Sequence, residues 1–235
     1  MHTEAISKIR LLVFDWDGTL MDSEAQIVAC LHASIRDHDL EPMDDHTVKD
    51  VIGLGLREAI DTLVPGRGRR FQESFTRSYR KHWFNSSKSY LFAGAREALG
   101  SLRRNGYFLA VATGKARNGL NRVLAETELD GCFDSTRCSD ETRSKPDPQM
   151  LREIMAELDI EPAQTAMIGD TEYDMAMASN AGTHKIAVSY GIHSPDRLNR
   201  YQPLACLDTI SEILHLFNPA NSGGTEVSSI NSTQV

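Results

Sequence analysis

A chain of 235 residues with 40% hydrophobic residues and a formal charge of −8 is long enough for one α/β core carrying an insertion, and its acidity argues against a dedicated nucleic-acid binder. No apolar run reaches the ~18 to 20 residues of a membrane span. Met1 to Lys8 has neither the basic start nor the apolar stretch of a signal peptide, so a cytoplasmic protein with no nucleic-acid or membrane partner is expected. Cys30, Cys132, Cys138 and Cys206 lack metal or redox spacing and read as reduced thiols.

In chain order, the first expected strand is the apolar run Leu11-Leu12-Val13-Phe14, which ends in Asp15-Trp16-Asp17-Gly18-Thr19. Buried strand thus passes abruptly into two carboxylates and a tight turn. A turn starting at Asp17 splays the two acids so that both face one small volume at the strand's end. At an effective dielectric of about 20, two such charges ~4 Å apart repel by on the order of 4 kcal/mol. The pair therefore calls for a cation or a shared proton.

Asp22-Ser23 is expected to cap a helix with Ile27, Leu31 and Ile35 on its apolar face. Helical patterns follow at Thr47 to Ile52, Leu56 to Val64 and Phe71 to Phe84, where the stripe Phe71, Phe75 and Tyr79 reads as core packing. No strand is expected between Met21 and Tyr90, so residues 21–90 read as an inserted helical cap domain, able to close over the acids that precede it. The pattern then alternates. Helices are expected at Ala93 to Asn105, Arg117 to Glu128, Pro146 to Leu158 and Tyr173 to Ala181, with strands at Tyr107 to Ala112, Phe133 to Arg137, Thr165 to Ile168 and Lys185 to Val188. Such alternation implies a Rossmann-like α/β fold, a parallel sheet covered on both faces and built from residues 1–20 and 91–217. Residues 218–235, rich in Ser, Asn, Gly and Thr, read as a disordered tail.

Ligands of open parallel sheets bind at the carboxyl ends of the strands. The polar residues expected there are Asp15 and Asp17, Thr113 with Gly114, Lys145, and Asp170 with Asp174 four residues on. Four carboxylates, one hydroxyl and one ammonium suit phosphoryl transfer: a nucleophile, a metal cage and donors to phosphoryl oxygens. Other motifs fail. Gly53-Leu54-Gly55 lacks the third glycine and preceding strand of a dinucleotide site, and Gly114-Lys115 lacks the P-loop pattern.

In Asp15-x-Asp17-Gly18-Thr19, Thr113, Lys145-Pro146 and Gly169-Asp170, the chain resembles the haloacid dehalogenase-like hydrolases. In its helical insertion, Lys145-Pro146-Asp147-Pro148 and Gly169-Asp170-Thr171 it resembles their phosphoglycolate phosphatase-like branch. The resemblance implies a phosphatase of small phosphorylated metabolites, with Asp15 as nucleophile, Asp17 as general acid/base, and Thr113, Gly114 and Lys145 as phosphate ligands. It implies one Mg²⁺ held by Asp15, the Asp17 carbonyl and Asp170, with Asp174 behind them, orienting a metal water or pairing with Lys145. Arg57, in the cap loop Gly53-Leu54-Gly55-Leu56-Arg57, is a candidate ligand for a substrate anion. The basic cluster Arg67, Arg69 and Arg70 reads as a solvated helix start. A monomer or homodimer is expected.

Several alternatives stay open. A mutase of the β-phosphoglucomutase type would keep the phosphoryl group, and a phosphoacceptor switch or a non-catalytic binding protein would use the same cluster without turnover. A dehalogenase has no use for Asp17 and Asp170, and a phosphonatase needs a cap lysine for which Lys49, Lys81 and Lys88 are undistinguished. Two departures from the branch stand out: Thr113-Gly114-Lys115 where its phosphatases tend to carry Thr-Asn-Lys, and a bulky Trp16 between the acids, expected to narrow the site.

Overall fold

The structure, a computed structural model, describes residues 2–86 and 88–217; the tail expected at 218–235 lies outside the described residues. Helix α1 (His2–Lys8) leads into β1 (Leu11–Phe14), and the two-residue strand β2 (Met21–Asp22) follows the acidic turn. Next come the helices of the insertion, α2 (Glu24–Asp37), α3 (Asp45–Lys49), α4 (Leu56–Leu63) and α5 (Arg69–Asn85), and the return strand β3 (Tyr90–Leu91). The remainder alternates: α6 (Ala95–Arg104), β4 (Phe108–Thr113), α7 (Arg117–Glu126), β5 (Ser135–Cys138), α8 (Gln149–Leu158), β6 (Thr165–Gly169), α9 (Glu172–Ala181), β7 (His184–Val188), α10 (Pro195–Asn199), β8 (Ala205–Leu207) and α11 (Ile213–Phe217).

Six strands form one parallel sheet in the order β5-β4-β1-β6-β7-β8. Strand β1 is central, pairing Phe14 with Val111 of β4 and with Ile168 of β6. Its residues alternate between two cores, as a pleated strand must. Leu11 and Val13 pack with Met150, Leu151 and Ile154 of α8 and Met177 of α9. Leu12 and Phe14 pack on the other face with Leu99 and Leu102 of α6 and Phe217 of α11. Covered on both sides, the strand has no polar residue until it ends at Asp15. A third core belongs to the insertion, where Leu31 and Ile35 of α2 meet Val48, Ile60 and Phe75.

The sheet and the helical insertion match the sequence reading, with local differences. Residues 21–90 are not free of strand: Met21 pairs with Leu91 and Asp22 with Tyr90 in an antiparallel stalk too short to show alternation. Helix α8 starts three residues later than expected, because Pro146 and Pro148 carry no N–H and Asp147 N–H donates to Ser144 O at 3.0 Å in a turn. Ser23 stands at the N-cap of α2, but its hydroxyl makes no cap bond and is directed to Asp17 instead. Edge strand β8, at three residues, carries no periodic signal.

Trp16 does not narrow the site. The turn sends it into the core, fully buried, edge-on to Phe133 at 6.3 Å, with its indole N–H 3.4 Å from Met21 Sδ. Replacing such a side chain loses both transfer energy and packing. Trp16→Ala is expected to lower the free energy of unfolding by about 3 to 5 kcal/mol, read as a lower midpoint in urea with the slope unchanged.

Candidate active site

The acidic turn is built from backbone bonds. Asp15 N–H donates to Ile168 O at 2.9 Å, extending the β1–β6 ladder by one residue, and the N–H groups of Leu20 and Met21 both donate to Trp16 O at 2.9 Å. Gly18 closes the turn at φ 84°, and a Cβ there would stand 2.2 Å from Asp170 Oδ2, so two independent constraints require glycine. The result brings Asp15 and Asp17 to one cleft of about 720 Å³ between the sheet and the insertion.

Lys145 enters from the loop before α8. Its buried ammonium lies 2.7 Å from Asp15 Oδ1 and 2.6 Å from Asp174 Oδ1. Asp174 is fixed from behind, because Oδ2 accepts from the Thr171 N–H at 3.0 Å and the Thr171 hydroxyl at 2.7 Å in the capping box of α9. Of the two roles expected for Asp174, its bonds provide the pairing with Lys145. Asp170 accepts from the Thr19 hydroxyl at 2.8 Å and the Ile192 N–H at 2.9 Å. Asp15 Oδ2 has no hydrogen-bond partner among the described residues.

Carboxylate oxygens of Asp15, Asp170 and Asp174 all lie within 4.8 Å of one another, and all three residues are buried. Burial pushes the Asp15 carboxyl well above the usual range, partly countered by Lys145 and reinforced by Asp174 and Asp170. Burial and the Asp174 charge bring Asp170 up to about 7. Burial works against the Lys145 ammonium, yet Asp15 and Asp174 outweigh it and hold the group above the ordinary lysine value. With all three acids ionised, one ammonium would leave two negative charges uncompensated, which is why the Asp15 and Asp170 carboxyls hold their protons. An all-oxygen donor set with that residual charge once ionised, and one oxygen left without a partner, fits a hard divalent cation.

Asp17 is held differently. Its Oδ1 accepts from the Ser23 hydroxyl at 2.5 Å and lies 2.9 Å from the Lys115 ammonium, which in turn sits 4.5 Å from the centre of the Trp83 ring in the insertion. Thr113 is buried at the end of β4, where Oγ1 accepts from Lys115 N–H at 3.1 Å and its own O–H remains to donate. Gly114 explains the departure from Thr-Asn-Lys. A Cβ there would stand 2.4 Å from Leu54 O, so the cap loop lies too close for any side chain. Arg57 is exposed and lines the cleft. Arg67, Arg69 and Arg70 are exposed, and none of them lines it.

Asp15, Lys145, Asp170 and Asp174 thus meet in one cluster, with Asp17, Gly114 and Arg57 on the adjoining cleft. Sequence reasoning missed Lys115, Ser23 and Thr19 as partners of the acids. Lys115 follows Thr113-Gly114 directly, and its place beyond a strand end was the available signal; nothing local marks Ser23 or the Ile192 N–H.

Comparison with known proteins agrees with this geometry. The family profile described as haloacid dehalogenase-like hydrolase matches residues 12–188. The chain is 34% identical to the probable phosphatase IndB of Dickeya dadantii, over 87% of this chain and 91% of that one. It is 27% identical to a phosphoglycolate phosphatase of Colwellia psychrerythraea, over 87% of this chain and 95% of the relative. A solved hydrolase from Pseudomonas syringae superposes with a TM-score of 0.81 at 20% identity, covering 88% of this chain and 97% of the other, a likeness of fold alone. No helix among the described residues is long and apolar enough to cross a membrane. The profile match across most of the sheet, together with the IndB likeness, establishes that the chain belongs to the haloacid dehalogenase-like hydrolase family.

Proposed function

We propose that the protein is a Mg²⁺-dependent phosphatase of a small phosphorylated metabolite, working through an aspartyl-phosphate on Asp15. The observation that carries the reading is the unpartnered Asp15 Oδ2, set in a buried acid cluster on the wall of a cleft open to substrate. The family and the phosphatase names of the relatives support it. Phosphoglycolate is one substrate these names suggest, although Gly114 stands where phosphatases of that branch tend to carry Asn.

In this reading Asp15 Oδ2 attacks phosphorus and the bond to the ester oxygen breaks. Asp17, its Oδ1 anchored by Ser23 and Lys115, gives a proton from Oδ2 to the departing alcohol. It then takes a proton from the water that attacks phosphorus and frees Asp15. The hydroxyl of Thr113 and the N–H of Gly114 donate to phosphoryl oxygens. Lys145 donates to Asp174 Oδ1 and pairs with Asp15 Oδ1, fixing the two carboxylates relative to each other. Asp15, Asp170 and the Asp17 carbonyl would hold Mg²⁺, which when bound shields the phosphate charge that otherwise repels the nucleophile.

Residues 21–90 would act as a cap over a core of residues 1–20 and 91–217. Three contacts favour a closed arrangement: Leu54 O lies over Gly114, Gly55 N–H donates to Ser144 Oγ at 2.7 Å, and Asp50 pairs with Arg197. The Tyr173 hydroxyl adds a bond to Asp50 O at 2.7 Å. A closed cap excludes water from the cluster and strengthens every charge interaction in it.

A panel of phosphorylated metabolites assayed with and without Mg²⁺ tests the proposal. Turnover is expected to vanish with chelator and return with Mg²⁺, and Asp15→Asn is expected to lower kcat by at least ~10³-fold; metal-independent turnover, or an active Asp15→Asn, refutes it. Asp174→Asn removes the anchor of Lys145 and should reduce kcat/KM by about 10- to 100-fold, measured at saturating Mg²⁺. Gly114→Ala forces the cap loop away from the end of β4, and KM should rise about tenfold while urea unfolding of the protein changes little.

A further inference from the structure

A cleft of about 720 Å³ is the size that holds a drug-sized ligand, and a two- or three-carbon alcohol would occupy a small part of it. Its insertion side presents Leu54 from the cap loop, Leu56 at the start of α4 and Trp83 and Phe84 from the end of α5, with Arg57 and Arg80 also lining it. Phe84 is 64% exposed, one of two large hydrophobic side chains so exposed among the described residues, and the other, Tyr90, lies on the stalk. Trp83 stacks with Tyr79 at 6.1 Å, Lys115 stands 4.5 Å from the Trp83 ring centre, and Arg122 lies 4.7 Å from that of Phe84. A small polar alcohol would leave this wall wet.

The opposite wall contains a glycine the backbone does not need. Gly119 lies in the first turn of α7, at no positive φ, and an added Cβ would meet nothing closer than Lys115 Cβ at 4.0 Å. Glycine inside a helix is unfavourable relative to alanine, and neither a turn nor a close approach accounts for it here. Gly119 lines the cleft, so what its missing side chain provides is room.

Resting on the phosphatase reading, we infer that the alcohol released is bulky and ring-bearing, seated between Leu54, Leu56, Trp83 and Phe84 on one side and Gly119 on the other. Phosphate at Asp15 places the ester oxygen toward Asp17 and the body of the leaving group along this channel.

Ethyl phosphate and 2-phenylethyl phosphate release alcohols of similar acidity, so their kcat/KM ratio reads how the channel treats the ring rather than intrinsic reactivity. The phenylethyl ester is expected to be favoured by about tenfold or more. Gly119→Leu, which adds helix propensity while filling the channel, should erase that advantage and leave ethyl phosphate within about twofold. Gly119→Ala should retain most of the advantage, which separates filling from any helix effect. Equal or better turnover of ethyl phosphate or 2-phosphoglycolate by the unaltered protein, or an unchanged ratio in Gly119→Leu, overturns the inference while leaving the phosphatase reading intact. Absence of Mg²⁺-dependent turnover on every ester, p-nitrophenyl phosphate included, overturns both.

Discussion

One buried ammonium holds the site together. Lys145 sits between Asp15 at the end of β1 and Asp174 in the first turn of α9, with essentially no exposure of any of the three side chains. Placing charges out of water is expensive, and such a group is tolerated only when paired and hydrogen-bonded on every side. Asp174 meets that condition through the Thr171 cap and Asp170 through Thr19 and Ile192. Asp15 does not, and the unmet valence points into the place where chemistry would occur. Order in the surrounding loops follows from this: the turn after β1, the loop before α8 and the start of α9 must converge because each carries one charge of the set.

What could be read from the sequence, and what could not, follows the range of the interactions. Strands β1, β4 and β6 lie inside the sheet, so their apolar content is continuous and their ends are marked by the polar residues that matter. Asp15, Thr113 and Asp170 stand at such ends and were visible for that reason, whereas Lys145, in the loop between edge strand β5 and α8, was read from its place beside Pro146 in the motif order. Short elements were not visible: β8 and the β2–β3 stalk carry too few residues to form a pattern, and their hydrogen-bond partners are distant in sequence.

Within the site, the difficult residues were those whose role depends on closure. Lys115 reads as an ordinary lysine after a strand until the insertion brings Trp83 over it and the turn brings Asp17 beside it. Trp16 misled in the opposite sense: set between two acids, it suggests a cleft residue, but adjacent residues of an extended chain point to opposite sides and the tryptophan took the core side. Gly114 looked like a missing side chain and is the contact surface for Leu54.

The stalk has a further consequence. Met21 beside Leu91 and Asp22 beside Tyr90 put the two attachment points of the insertion next to each other, outside the six-stranded sheet. Nothing in the register of β1 against β4 and β6 senses what is strung between them. A different module joined at the same two points would meet the same acids and the same buried lysine, so what covers the cleft could change while the cluster beneath it keeps its place.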